Sequence, residues 1–144
     1  MRVETRVYFA VHSDLLSPEE LEAQIGMAPS SVMRKAAKRV NPPRPVVNSW
    51  RADSPLSRSA PLWRHLEALY EIVAPASGRI REVCRGEPAA RLQVVREFYP
   101  DGGEADLGFS LDEPWLALIS QTGALVDVDE YDYTAEPACG QAGQ

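Results

Sequence analysis

Two histidines, two cysteines and one run of alternating acids are the residues of this 144-residue chain whose types could do chemistry. His65 stands in Trp63-Arg-His-Leu-Glu-Ala-Leu69 and could serve as a general base or a ligand, but its neighbours supply neither an orienting acid nor a nucleophile. A histidine at the edge of the core, hydrogen-bonded near Trp50 or the sheet, is the preferred reading. His12-Ser-Asp14 places three hydrolase letters side by side. Consecutive strand residues point to opposite faces, however, and real triads converge from distant parts of a chain, so a strand end at which Ser13 or Asp14 caps a turn explains them better. Cys84 has Arg81 and Arg85 nearby, which would favour a thiolate. It also lies on the side of Ile80 and Val83, where a cysteine behaves as a small inert hydrophobe. Cys139 sits in a Gly/Ala/Gln-rich tail, and no spacing among cysteines and histidines fits a metal or redox site. No catalytic residue, metal ligand or cofactor is assigned.

The acidic run is Leu125-Val-Asp-Val-Asp-Glu-Tyr-Asp-Tyr133. Its period of two marks a half-buried strand that helps close the core, with Val126 and Val128 on one side and Leu125, Asp127, Asp129 and Tyr131 on the other. Two carboxylates are too few for Mg²⁺ or Ca²⁺, and no Asp-x-Asp-x-Asp-Gly loop is present. Charges along a strand keep it soluble and discourage edge pairing.

Charge is segregated along the chain. The net charge is −6, yet Arg34 to Arg64 holds eight basic residues against the single acid Asp53, while from Glu97 onward there are eleven acids and no Lys or Arg. Such a chain can dock on an oppositely charged protein or pair with itself head to tail. Nucleic acid is excluded, because the whole-molecule field repels phosphate and no aromatics are interleaved with the basic residues for stacking. The apolar runs are too short to cross a membrane and the N-terminus has no signal-peptide core, so a cytoplasmic location is expected.

The elements that must position these residues follow from periodicity and punctuation. Val3 to Val11 reads as a strand. Ser17-Pro-Glu-Glu20 is a capping box that starts a short helix with Leu21 and Ile25 inward and Gly26 as its stop. Residues 28–59 read as a Pro/Ser/Arg-rich loop, extended at Pro42 to Pro45 and interrupted by a short strand from Val46 to Arg51. Leu62, Leu66, Leu69 and Val73 form the stripe of a second helix, which Pro75 ends or kinks before a further segment from Ser77 to Cys84. Leu92 to Tyr99 reads as a strand that turns at Pro100-Asp-Gly-Gly103 and returns over Ala105 to Leu111. A third helix starts at Asp112-Glu-Pro114, buries Trp115, Leu118 and Ile119, and stops at Gly123. The first strand-and-helix unit, closing on Gly26, weakly echoes the last, closing on Gly123. The expected fold is α+β: a single domain over residues 1–133, in which two to three helices pack on one face of a mostly antiparallel sheet of about five strands. The order is β-α-β-α-β-β-α-β, followed by a disordered tail over residues 134–144.

In these residues the chain resembles a bacterial family known as domain of unknown function 4279 (DUF4279). The resemblance spans roughly residues 3–133. It rests on the first strand with Leu15-Leu-Ser-Pro-Glu-Glu-Leu21 and Gly26, on Trp50 after a basic loop, on Trp63-Arg-His-Leu-Glu-Ala-Leu69, and on Phe109-Ser-Leu through Gly123 to Tyr131. The loop after Gly26 departs from the family's usual Gly-rich basic turn. The resemblance implies no activity, and small acidic α+β domains of this kind look like proteins that neutralise toxins by binding them.

The expected function is therefore a non-enzymatic protein-binding module, immunity-like or regulatory, whose contact surface is either the acidic face around Asp127, Asp129, Glu130 and Tyr131 or the basic loop. Its partner is another protein, or a second copy met through opposite charge patches. Trp50 and Trp63, most simply core residues, become anchors for a partner if exposed. The alternative is a small-molecule protein or enzyme with a pocket where Trp50, Arg51 and His65 converge.

Overall fold

β1 (Arg2–Ser13) alternates so that Val7, Phe9 and Val11 face one way and Tyr8, Ala10 and His12 the other. Its period-2 pattern makes it the centre of the sheet: β3 (Asn48–Asp53) and β4 (Ala89–Tyr99) pair with it antiparallel on either side. The computed structural model describes residues 1–36 and 46–135 of the chain. The readings made for Pro42 to Pro45 and Cys139, and for the tail from residue 136 onward, fall outside these residues.

α1 (Pro18–Ile25) begins as its sequence predicts. The Ser17 hydroxyl accepts the Glu20 amide at 3.1 Å, the Glu20 carboxylate accepts the Ser17 amide at 3.3 Å, and Pro18 occupies the first helical position. Such a cap contributes about 1 kcal/mol. Gly26 ends the helix at φ 74°, a left-handed conformation costly for other residues. The chain then forms β2 (Ser31–Met33), a three-residue strand antiparallel to β3. This strand was not expected, because a segment so short shows no alternation. β3 itself sits two residues later than its predicted span, since Trp50 and Ala52 are the residues that fill the core.

α2 (Leu62–Val73) buries Leu62, Leu66, Leu69 and Val73, and a 3₁₀ turn at Ala74–Ala76 leads into α3 (Ser77–Val83), so the two form one arm bent at Pro75. α4 (Glu113–Thr122) is capped by Asp112, whose carboxylate accepts the Trp115 amide at 3.3 Å, and β5 (Leu125–Asp132) pairs parallel with β4. The strand expected over Ala105 to Leu111 does not form. With β1 on one side and β5 on the other, β4 has no free edge for a hairpin return, and the Asp106 and Leu107 carbonyls accept from the Arg96 guanidinium instead.

The sheet order is β2-β3-β1-β4-β5, antiparallel except for β4–β5. The first six units, with the α2–α3 arm counted as one, give the split β-α-β, or ferredoxin-like, arrangement, and α4–β5 extends it by one strand. The protein is thus an α+β single domain with a five-stranded mixed sheet. The helices share one face, and between them and the sheet lie Trp50, Trp115, Phe9, Leu21, Ile25, Leu69, Ile80 and Leu92, all essentially inaccessible. Burying each such side chain stabilises the fold by roughly 1.5–3 kcal/mol. The opposite face of the sheet carries no helix.

Candidate functional site

β5 is a sheet edge, and it is the most acidic element of the fold. The register sets Asp127 beside Gln93, Asp129 beside Val95 and Tyr131 beside Glu97 on the helix-free face, while Val126, Val128 and Glu130 fall on the helix side beside Leu92, Val94 and Arg96. The two sides alternate as the sequence predicts. The core is not closed by β5, however: Val126 is half-buried and Val128 is 38% exposed, because α4 packs chiefly through Trp115 and Leu118 and leaves the outer edge of the sheet bare.

Neighbours on β4 hold the acids in place. Asp127 pairs with Arg91 at 3.4 Å and Asp129 accepts the Gln93 side-chain amide at 3.1 Å, while Glu130 meets Arg96 at 3.4 Å on the other face. The Tyr133 amide donates to the Phe98 carbonyl at 2.8 Å. The alternation of a parallel ladder then turns the backbone N–H and C=O groups of Val126, Val128, Glu130 and Asp132 away from β4, towards solvent. A bare edge of this kind is a template for another strand.

Trp50, Arg51 and His65 do not form the pocket that was entertained for them. Trp50 and Arg51 are consecutive strand residues and point to opposite faces. The Trp50 ring is fully buried in the core, its Nε1–H donating to the Met27 carbonyl at 2.9 Å. Arg51 lies on the helix-free face, with its guanidinium 3.5 Å from the centre of the Tyr8 ring and donating to Asp53 at 2.9 Å. His65 is buried on α2 with Nδ1 2.8 Å from the Ser54 hydroxyl, close to the edge-of-core role preferred for it, and burial pushes its pKa below the ordinary histidine value against the opposing pull of the Ser57 and Ala60 backbone. Trp63 also departs from the core reading: its indole is 55% exposed, since it falls outside the Leu62/Leu66/Leu69 stripe.

The remaining reactive groups are tied into the scaffold. The Ser13 hydroxyl accepts the Leu15 and Leu16 amides and bonds the Glu87 carboxylate at 2.5 Å, so the turn-capping role holds. The His12 Nδ1 lies 3.0 Å from the Ser49 hydroxyl, and burial, helped by Arg91 and Arg51, lowers its pKa. Burial pushes the Cys84 thiol up to about 11, which favours the inert reading. Among the described residues no three or more His, Cys, Asp or Glu side chains group so as to hold a metal ion, and no helix is long and apolar enough to cross a membrane.

Sequence reasoning passed over Arg96. It occupies the apolar side of an alternating run, between Val94 and Phe98, and is only 2% exposed. A cation in a hydrophobic register position was the signal available. Arg91, which orients Asp127, gave no comparable sign. No curated protein and no solved structure matches the chain. The family model of DUF4279, a domain of unknown function, matches residues 3–133, and the chain belongs to that family.

Proposed function

We propose that this protein is a non-enzymatic binding module that captures an extended, basic segment of another protein along β5 by strand addition. The observation that carries this reading is the bare edge of β5, eight residues long, with outward backbone groups and the carboxylates of Asp127, Asp129, Glu130 and Asp132 lining it. Backbone hydrogen bonds would supply affinity and alternate side chains selectivity. The acids favour a Lys- or Arg-bearing partner and a fast, salt-sensitive association. Leu125, Val128 and Tyr131, all exposed, offer apolar contacts along the same strand.

Two further observations support the reading. Each histidine lies against a serine hydroxyl, His12 against Ser49 and His65 against Ser54, but the Nε2 of each ring is buried with no hydrogen-bond partner, so no acid orients either ring as a base, and burial raises the Cys84 thiol to about 11. On the opposite edge Arg34 bonds Glu19 and Lys35 approaches Asp14 at 3.5 Å, so these two basic groups are already occupied and favour a foreign partner over a second copy. An immunity-like or regulatory protein that masks a basic surface, acting in the cytoplasm where thiols stay reduced, is the biological form of this proposal.

Panning the immobilised protein with a random peptide library tests it. Selected peptides should alternate Lys or Arg with β-branched residues. Val128→Pro removes an outward N–H that the fold does not use, and should abolish peptide binding while the protein stays folded. Peptides without basic residues, or binding indifferent to Val128→Pro, would overturn the reading.

A further inference from the structure

Between the first turn of α2 and the crossover segment 102–110 lies a cavity of about 580 Å³, a volume typical of small-ligand sites. Val3, Thr5 and Arg96 line its sheet side, and the exposed Trp63, Leu107 and Phe109 line its helix and crossover sides. We propose that this cavity binds a small amphipathic carboxylate, its acid group at Arg96 and the start of α2, its apolar body against Trp63, Leu107 and Phe109.

Arg96 carries the argument. Taking a guanidinium out of water costs several kcal/mol unless its charge and its donors are matched. Here the matching is incomplete. Its terminal nitrogens donate to the Leu107 and Asp106 carbonyls, which are neutral, and the one acid it meets, Glu130 at 3.4 Å, is 49% exposed. The Arg96 Nε–H is buried and reaches no acceptor. A buried cation with an idle donor on the wall of a cavity is a place for an anion.

The start of α2 adds a second, independent attraction. Pro61 is the N-cap and offers no side-chain oxygen, and no acid stands in the first turn. The Arg64 and His65 amides turn back to the Pro61 carbonyl, which leaves the Leu62 and Trp63 amides without a capping acceptor at the positive end of the helix dipole. Ala60, Pro61, Leu62 and Trp63 all border the cavity. Glu104 and Asp106, on the crossover, are exposed at the rim. Three large apolar side chains left in solvent on two facing segments give the ligand its apolar half.

Titration of the ¹⁵N-labelled full chain with 4-phenylbutyrate, with the uncharged 4-phenylbutyramide and with inorganic phosphate tests this. Phenylbutyrate should give saturable shifts of the Leu62, Trp63 and Leu107 amides and of the Arg96 Nε–H, and the neutral amide should bind at least about tenfold more weakly. Trp63→Ala, at an exposed position that the fold does not need, should weaken phenylbutyrate about fivefold or more. Arg96→Lys, provided its spectrum remains dispersed, should erase the preference for the acid over the amide. No saturable shift up to about 10 mM, equal affinity for acid and amide, binding unaffected by Trp63→Ala, or phosphate binding as tightly as phenylbutyrate would each overturn the proposal.

Discussion

Trp115 joins the appended α4–β5 unit to the ferredoxin-like part of the fold, so its truncation should loosen the acidic edge before the rest. The indole is buried, donates through Nε1 to the Leu66 carbonyl at 2.9 Å, stacks on Phe9 at a centroid separation of 6.3 Å and meets the Tyr70 ring edge-on at 5.6 Å. Trp115→Phe removes one buried hydrogen bond, worth about 1 kcal/mol, and part of an aromatic contact worth about 0.5–1.5 kcal/mol. The Leu66 carbonyl keeps its own helical partner, so the loss should total about 2 kcal/mol, whereas Trp115→Ala adds a cavity and should cost about 3–5 kcal/mol. Against a domain stability of roughly 5–15 kcal/mol both losses are measurable by urea unfolding followed by circular dichroism. Amide exchange on the Phe variant should show Leu116 to Thr122 and β5 losing protection while β1 keeps it. A Trp115→Phe cost under about 0.5 kcal/mol, or a uniform loss of protection across all five strands, would refute this account of how β5 is held.

Two other outcomes follow from buried titratable groups. His12 and His65 both have lowered pKa values in the folded protein, for burial first in each case. The unfolded chain therefore takes up protons that the folded one refuses, so their contribution to stability is intact above the ordinary histidine pKa of about 6.5 and is lost as pH falls from there through the folded values. Melting temperatures measured down that range should fall accordingly, and a histidine ring titrating in the folded protein at or above 6.5 would contradict it. Cys84, its thiol raised to about 11, should resist iodoacetamide at neutral pH until the chain is unfolded in urea, as read by mass spectrometry of its own peptide; rapid labelling of the native protein would show that the thiol is not shielded.

The elements legible in the sequence are those whose signals are local. The Ser17 capping box, the Gly26 and Gly123 stops, the α2 stripe and the alternation of β1, β4 and β5 all stand where their residues place them. Misreadings arose where a neighbour distant in sequence decides the outcome. Nothing within Ala105 to Leu111 reveals that β5 already occupies the edge of β4, and nothing within Ser31 to Met33 reveals that β3 will pair with it. Trp50 falls on the inward side of a strand and Trp63 outside the buried stripe of α2, so one fills the core while the other faces solvent. The site shows the same division. The acids of β5 were visible from their spacing, whereas the charge balance of Arg96 depends on Glu130, thirty-four positions later, and on two carbonyls of the crossover.

The segregation of charge along the chain acquires a meaning in this topology. A split β-α-β unit is complete at Tyr99, and everything beyond it converts β4 from an edge into an interior strand. From Glu97 onward the chain carries no Lys or Arg, so the added crossover, α4 and β5 bring only negative charge to a scaffold whose own β4 supplies Arg91 and Arg96. Those two arginines point to opposite faces of the sheet, and each meets one acid of β5, Asp127 on the helix-free face and Glu130 on the helix side. The exposed Arg91–Asp127 pair contributes little to stability, about 0–1 kcal/mol, and Glu130 only partly offsets the buried Arg96, so pairing does not explain why the acids outnumber the cations available to them. Asp132, with no cation in reach among the described residues, and the exposed Asp129 leave the edge with surplus negative charge, while Arg96 is left with surplus positive charge in the cavity behind it. The same extension thus builds both surfaces proposed for recognition, and gives them opposite signs: a negative edge and a positive groove.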